Sequence, residues 1–226
     1  MPRGLRFPRE SAAARKERAE RIAARLSQEY PDADCELDWR TPWELLVATI
    51  LSAQCTDRMV NQVTPALFEE FPDPSSLAKA SPARLESLIR RTGFFKQKAK
   101  ALRACASGVV ERHGGEVPPG IEALVELPGV GRKTASVVSG TAFGHPAVFV
   151  DTHVNRLTRR LGLTREETPE RIETDIRNLL HPAEWTKFCH RLIHHGRRVC
   201  TARAPRCPEC PLGDLCPRLG VTNPGQ

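Results

Sequence analysis

Nowhere in the 226 residues do about 20 apolar side chains run together, so no helix of this chain is expected to cross a membrane. Aromatic residues are scarce. Eight Phe, three Trp and one Tyr leave too few rings for a protein that holds single strands on an aromatic platform. Strict alternation of apolar and polar residues is almost missing; "PAVFVD" at 146–151 is the only strand-like run, and it is short. The opening segment, "MPRGLRFPRESAAARKERAERIAARL", has no apolar signal core and mixes acids with its arginines. Export is therefore not expected, and without export neither is a disulfide framework. The segment reads instead as an exposed amphipathic helix. Internal repeats and low-complexity tracts are lacking as well.

What is present is charge and helix signals. Thirty-four Lys and Arg against 27 Asp and Glu give a net charge of +7, which suits a polyanionic partner on a basic face without establishing one. "TPWE" at 41–44 combines an N-cap threonine, a proline at the first helical position and a glutamate three residues on. The following "LLVATILSA" is apolar nearly all round and marks a buried central helix. "SPARLESLIRRTG" starts on Ser-Pro and stops at Gly93, and "FFKQKAKALRACASGVVERHGG" stops at Gly114 and Gly115. "TPERIETDIRNLLHP" puts Ile172, Ile176, Leu179 and Leu180 on one stripe before Pro182. The fold is expected to be all-α. "VERHGGEVPPG" and "GHPAVFVD" break the chain on either side of a hairpin segment.

That segment, "ELPGVGRKTASVVSG" at 126–140, is not a phosphate-binding P-loop, because Arg132 follows Gly131 and the preceding "IEALVEL" reads as helix. It predicts helix, L-P-G-V-G turn, helix, with Gly129 and Gly131 taken to supply positive φ and close approach. The second helix would then open with outward N–H groups and a positive dipole end, a seat for one phosphate. Lys133 falls in that first turn, either as an ordinary solvated residue or as a residue the turn aims. Eighteen positions later, Asp151 in "VFVDTHVNRLTRRLG" is placed as a helix N-cap.

Four of the eight cysteines sit in "CTARAPRCPECPLGDLC", spaced C-x6-C-x2-C-x5-C from Cys200 through Cys207 and Cys210 to Cys216. Four thiolates this close call for a metal. Structural zinc usually takes two C-x2-4-C knuckles across an insert. A single C-x2-C in one short loop suits a [4Fe–4S] cluster better. Arg197, Arg198, Arg203 and Arg206 flank the ligands, offsetting thiolate charge or facing phosphates, or both. Cys35, Cys55, Cys105 and Cys189 read as small core residues.

Taken together, "LSAQCTD" at 51–57, "LPGVGRKTASVV", "VDTHVNRLTRRLGL" and the cysteine tail resemble the endonuclease III family of DNA glycosylases in order and spacing, over roughly residues 30 to 218. The resemblance implies two helical domains with a DNA-binding cleft between them. One would be a six-helix domain, 35–145, with the helix-hairpin-helix at about 121–143. The other would join 1–34 to 146–226 and carry the cluster loop 200–216. It implies a base-excision-repair enzyme, a DNA N-glycosylase with AP lyase activity. The substrate would be double-stranded DNA with oxidised pyrimidines or abasic sites. The protein would act as a cytoplasmic monomer, on the nucleoid in a bacterium.

By the same resemblance, Lys133 is the nucleophile that forms a Schiff base and leads to β-elimination. Asp151 is the essential carboxylate, as a base or as an electrostatic stabiliser. Leu127, Gly129, Val130, Gly131, Arg132 and Thr134 form the DNA-binding hairpin, and Gln54 fills the space a flipped base leaves. Phe94 stands where the family commonly carries Leu; it is either a wedge beside the opposite base or a helix-end core contact. An adenine glycosylase is disfavoured, since "LLVATILSAQ" holds no acid and Lys133 is present. A non-catalytic hairpin module with a redox-sensing cluster, or a zinc-bearing scaffold, would bind without covalent chemistry.

Overall fold

The computed structural model describes residues 7–222; the first six residues of the opening segment and the last four of the chain lie outside them. Eleven α-helices run α1 (Ala12–Glu29), α2 (Pro42–Leu51), α3 (Asp57–Glu70), α4 (Pro74–Ala78), α5 (Pro82–Ile89), α6 (Phe95–His113), α7 (Ile121–Val125), α8 (Arg132–Phe143), α9 (Thr152–Arg160), α10 (Pro169–Leu179) and α11 (Trp185–Arg198). Their starts follow from the sequence. Ser11, Thr41, Thr56, Asp73, Ser81 and Asp151 each accept a backbone N–H of the first turn through a side-chain oxygen. At Thr41 the expected glutamate is engaged differently: the Glu44 carboxylate takes the N–H and guanidinium of Arg40.

The chain packs as two units, one spanning Cys35–His145 and the other joining the chain before Cys35 to the chain from Pro146 onward. In the first, α2 is the centre. Leu45, Leu46, Val47, Ala48 and Leu51 are fully buried, and the two buried polar residues of the helix are satisfied locally, Glu44 by Arg40 and Thr49 Oγ1 by Leu45 O at 2.7 Å. α3, α6 and α8 pack around it. Each such leucine contributes about 2 kcal/mol by leaving water, so truncating Leu46 to Ala costs ~2–5 kcal/mol. This unit holds seven α-helices, not six; α4 and α7 are single turns of five residues that sequence periodicity does not resolve.

In the second unit α1 packs on α10 and α11, and α9 packs on α11. α1 is not the exposed helix its charge led us to expect. Ala19, Ile22, Ala23 and Leu26 are buried along one stripe, and two of its arginines, Arg18 and Arg25, donate to backbone carbonyls far along the chain. Arg18 Nη1 donates to Leu161 O at 2.6 Å and Leu215 O at 3.2 Å, and Arg25 Nη1 to Pro211 O at 2.8 Å. The "PAVFVD" run forms no strand. Ala147, Val148 and Phe149 are buried in irregular chain, with the N–H and C=O of Ala147 both met by Thr186 Oγ1. Cys105 and Cys189 are core residues as expected, whereas Cys35 and Cys55 are only half-buried, because they sit at the loops flanking α2.

Candidate nucleic-acid interface and catalytic residues

The hairpin between α7 and α8 is pinned from below. Leu127 and Val130 are buried while Pro128, Gly129 and Gly131 stay exposed, and Val130 N donates to Leu127 O at 3.1 Å to close the turn. Gly129 has φ 79°, and a Cβ there would stand 3.0 Å from the Ala101 Cβ of α6. The hairpin therefore lies directly on α6, and only glycine permits that approach. Gly131 is a correction. Its φ is −87°, ordinary for any residue, and a Cβ there would meet open space. It caps α8 without any side chain, so the first-turn N–H groups receive no side-chain cap and face outward with the positive end of the helix. Arg132 and Lys133 are exposed in that turn and Thr134 is half-buried.

On the same unit, Gln54 follows the end of α2 and Phe94 precedes α6. Both are exposed and both hold left-handed backbone, at φ 51° and 47°. With 58 % of its surface exposed, Phe94 is not a helix-end core contact, and that alternative is removed. A large apolar ring held out in strained backbone has no folding role to explain it.

On the other unit, Asp151 is the N-cap of α9. Its Oδ1 accepts the N–H of His153 and of Val154, each at 2.8 Å, and its Oδ2 lies 3.0 Å from His153 Nδ1. The carboxylate is 13 % exposed. His153 is a partner the sequence reading missed; only the cap turn folds its ring back onto the residue two positions earlier. α9 is held in place by α11. A Cβ on Gly196 would approach Arg156 Nη2 and His153 Cδ2 to 3.0 Å, so the helices meet where α11 has no side chain. Arg156 Nη2 donates to Gly196 O and Cys200 O, and Arg160 donates to Thr201 O and Ala202 O. One helix thus carries Asp151 at its start and grips the cysteine loop with two arginines further along, which were also not singled out from sequence.

Cys200, Cys207, Cys210 and Cys216 line one hollow with Leu157 and Leu212. The sulfurs meet two N–H donors, a ring nitrogen and one carbonyl. Arg160 Nη1 lies 3.4 Å from Cys200 Sγ, Arg218 N donates to Cys216 Sγ at 3.4 Å, and His195 Nε2 is 3.4 Å from Cys210 Sγ; the Arg160 carbonyl accepts from the Cys216 thiol at 3.6 Å. Burial pushes the His195 imidazole down to about 4, so it is neutral, and Tyr30, pushed up to about 12, keeps its hydroxyl proton. Tyr30 OH lies 3.0 Å from His195 Nδ1; in the tautomer that accepts the hydroxyl at Nδ1, Nε2–H faces Cys210.

Four thiols with donors around them fit an iron–sulfur cluster. Burial drives the Cys216 thiol up to about 11 and raises the Cys210 thiol, so these two bind as thiolates only where a cation offsets the charge. Among the described residues no three Cys, His, Asp or Glu side chains converge on a single-ion site, as tetrahedral zinc demands. The sulfurs instead surround a space.

A hairpin presenting an uncapped helix start, joined to a four-cysteine loop, defines a class: residues 47–182 match the HhH-GPD superfamily of base excision DNA repair proteins. Residues 200–216 match the iron-sulfur binding domain of endonuclease III. The chain is 52 % identical to endonuclease III of Synechocystis sp. over 91 % of its own length and 94 % of that protein's. It is 43 % identical to endonuclease III of Bacillus subtilis, covering 85 % and 88 %. A solved structure, a non-covalent endonuclease III–DNA complex, matches with a TM-score of 0.86 at 42 % identity, covering 90 % of this chain and 95 % of that one. The chain belongs to the endonuclease III family. Its cofactor is a [4Fe–4S] cluster. The readings as a binding-only module or a zinc scaffold are not favoured. Among the described residues no helix is long and apolar enough to cross a membrane.

Proposed function

We propose that this chain is a base-excision-repair DNA N-glycosylase with AP lyase activity, in which Lys133 is the nucleophile on oxidised pyrimidines and abasic sites of duplex DNA. The observation that carries this reading is the placement of Lys133: exposed, in the first turn of α8, immediately after a hairpin whose shape is set by packing on α6. The outward N–H groups of that turn, with Thr134 and the exposed backbone of Gly129 and Gly131, take a phosphate of the strand. They fix the lysine relative to the sugar without reading the base.

The damaged nucleotide leaves the stack, at a cost of a few kcal/mol that poor pairing reduces. Gln54 occupies the space left behind, and the ring of Phe94 wedges against the opposite base. Lys133, as neutral amine, attacks C1′; the C1′–N bond breaks and its electron pair departs with the base. Loss of a proton from nitrogen and opening of the sugar ring give the iminium. Removal of a C2′ proton then sends electrons into the C2′–C3′ bond and expels the 3′ phosphate oxygen, cutting the strand. Water hydrolyses the imine and returns the lysine.

Asp151 acts as the electrostatic stabiliser of positive charge developing at C1′. Two backbone N–H groups hold Oδ1 and the His153 ring lies against Oδ2, which fixes a negative charge in place. Cys200, Cys207, Cys210 and Cys216 would hold the cluster, which would cross-link the loop whose carbonyls Arg156 and Arg160 of α9 bind. The protein works as a monomer in the cytoplasm, on the nucleoid in a bacterium. A 5′-labelled duplex with one thymine glycol tests the assignment. The parent protein releases the base and leaves a β-elimination end, and Lys133→Ala does neither; strand cleavage at the parent rate by Lys133→Ala would refute it.

A further inference from the structure

One buried cation has no part in the chemistry above. Lys98, in the first turns of α6, is 6 % exposed, and its Nζ donates to Leu51 O at 2.8 Å and to Thr92 O at 2.7 Å. Leu51 is the last residue of α2, three positions before Gln54; Thr92 is two positions before Phe94. The Leu51 carbonyl lies in the frayed end of α2, where Cys55 N bonds Ser52 O instead, so it depends on a donor from elsewhere. A positive charge there also meets the negative end of the α2 dipole. Burial holds the ammonium below the ordinary lysine range, and an apolar side chain of the same length would be cheaper to bury. The two carbonyls are what the charge is there for. Each belongs to a segment that ends in an exposed non-glycine residue with left-handed backbone, Gln54 at φ 51° and Phe94 at φ 47°.

We propose that Lys98 is a positioning residue: its ammonium ties the loop carrying Gln54 to the loop carrying Phe94, so that both side chains enter the duplex at a fixed separation. This rests on the reading of Gln54 and Phe94 as the residues that enter the duplex. Without the tie each loop relaxes its strained backbone independently, and base extrusion slows. An abasic site has no base to extrude and is affected less.

The test compares the parent with Lys98→Met and Lys98→Arg, in the intact sequence and in a Gln54→Ala/Phe94→Ala background. Single-turnover base release from thymine glycol should fall ~10-fold or more in Lys98→Met, while Schiff-base formation on a preformed abasic site changes less than ~3-fold. Amide hydrogen exchange should rise at 52–56 and 92–95 together and not along the rest of α6. Lys98→Arg, which can also span two carbonyls, should restore most of the loss. In the background lacking both side chains, Lys98→Met should add nothing. Equal slowing on both substrates, the same factor in that background, or exchange rising throughout α6 would each overturn the proposal in favour of a plain folding role. If the Gln54→Ala/Phe94→Ala protein itself releases base at the parent rate, the entry of those residues into DNA is wrong, and the role of Lys98 falls with it. Should Lys98→Met not fold, Lys98→Gln carries the same comparisons.

Discussion

Asp151 is both a helix cap and the proposed charge at the sugar, and two substitutions separate these roles. Asp151→Asn leaves an amide oxygen where Oδ1 now accepts the N–H groups of His153 and Val154 at 2.8 Å. Asn and Asp cap helices about equally well, so the structural loss is the charge–dipole contribution alone, about 0.3–1 kcal/mol. The new amide N–H2 would face His153 Nδ1, now 3.0 Å from Oδ2, and can donate to that nitrogen in the Nε2–H tautomer. Asp151→Ala removes the acceptor altogether and costs ~1–2 kcal/mol. Both variants remove the charge, and loss of one preorganised electrostatic partner costs about 100- to 1000-fold in rate. Thermal melts beside single-turnover base release on thymine glycol give the two axes. The account predicts near-parent melting and a crippled rate for Asp151→Asn, with a similar rate and lower melting for Asp151→Ala. Asp151→Asn working within ~3-fold of the parent would refute the electrostatic role and leave a cap.

Gly129→Ala should lower stability by ~2–4 kcal/mol and weaken DNA binding, because the added methyl takes a φ of 79° and stands 3.0 Å from Ala101 Cβ. Pairing it with Ala101→Gly should recover the steric part only, read by melting; Gly131→Ala, with open space before it, should melt like the parent. Removing iron should bleach the visible thiolate-to-iron band and free residues 200–216, and it should cut base release by loosening the grip of Arg156 and Arg160 of α9 on that loop, while circular dichroism keeps most helix signal. Acid should destabilise the unit containing α11. Burial pushes His190 from 6.5 down to about 4, with Asp34 raising it and Lys187 and His194 lowering it. The unfolded chain therefore takes the proton first: stability is full above pH 6.5 and falls towards pH 4, by at most about 1.4 kcal/mol per unit for this one group. His190→Gln should flatten the slope of melting temperature against pH.

The helices were legible because their starts are local chemistry: Thr41-Pro42, Ser81-Pro82 and Asp151 each announce a cap within one turn. The hairpin was legible for the same reason. What escaped was set by partners far along the chain. α1 looks like a solvated helix until Arg18 and Arg25 find carbonyls more than a hundred residues away. Two glycines of one motif look equivalent, yet only Gly129 has a neighbour that forbids a methyl group. His153 and Lys98 are unremarkable letters whose roles depend on which oxygen a fold brings to them.

Borohydride trapping tests the central claim most directly. On a duplex with one thymine glycol, and on one with an abasic site, the parent protein should form a reduced covalent adduct that peptide mapping places at Lys133. Lys133→Ala should form none while binding DNA with its cluster intact. An adduct mapping to any other residue, or no adduct from the parent on either duplex, would contradict the lysine mechanism.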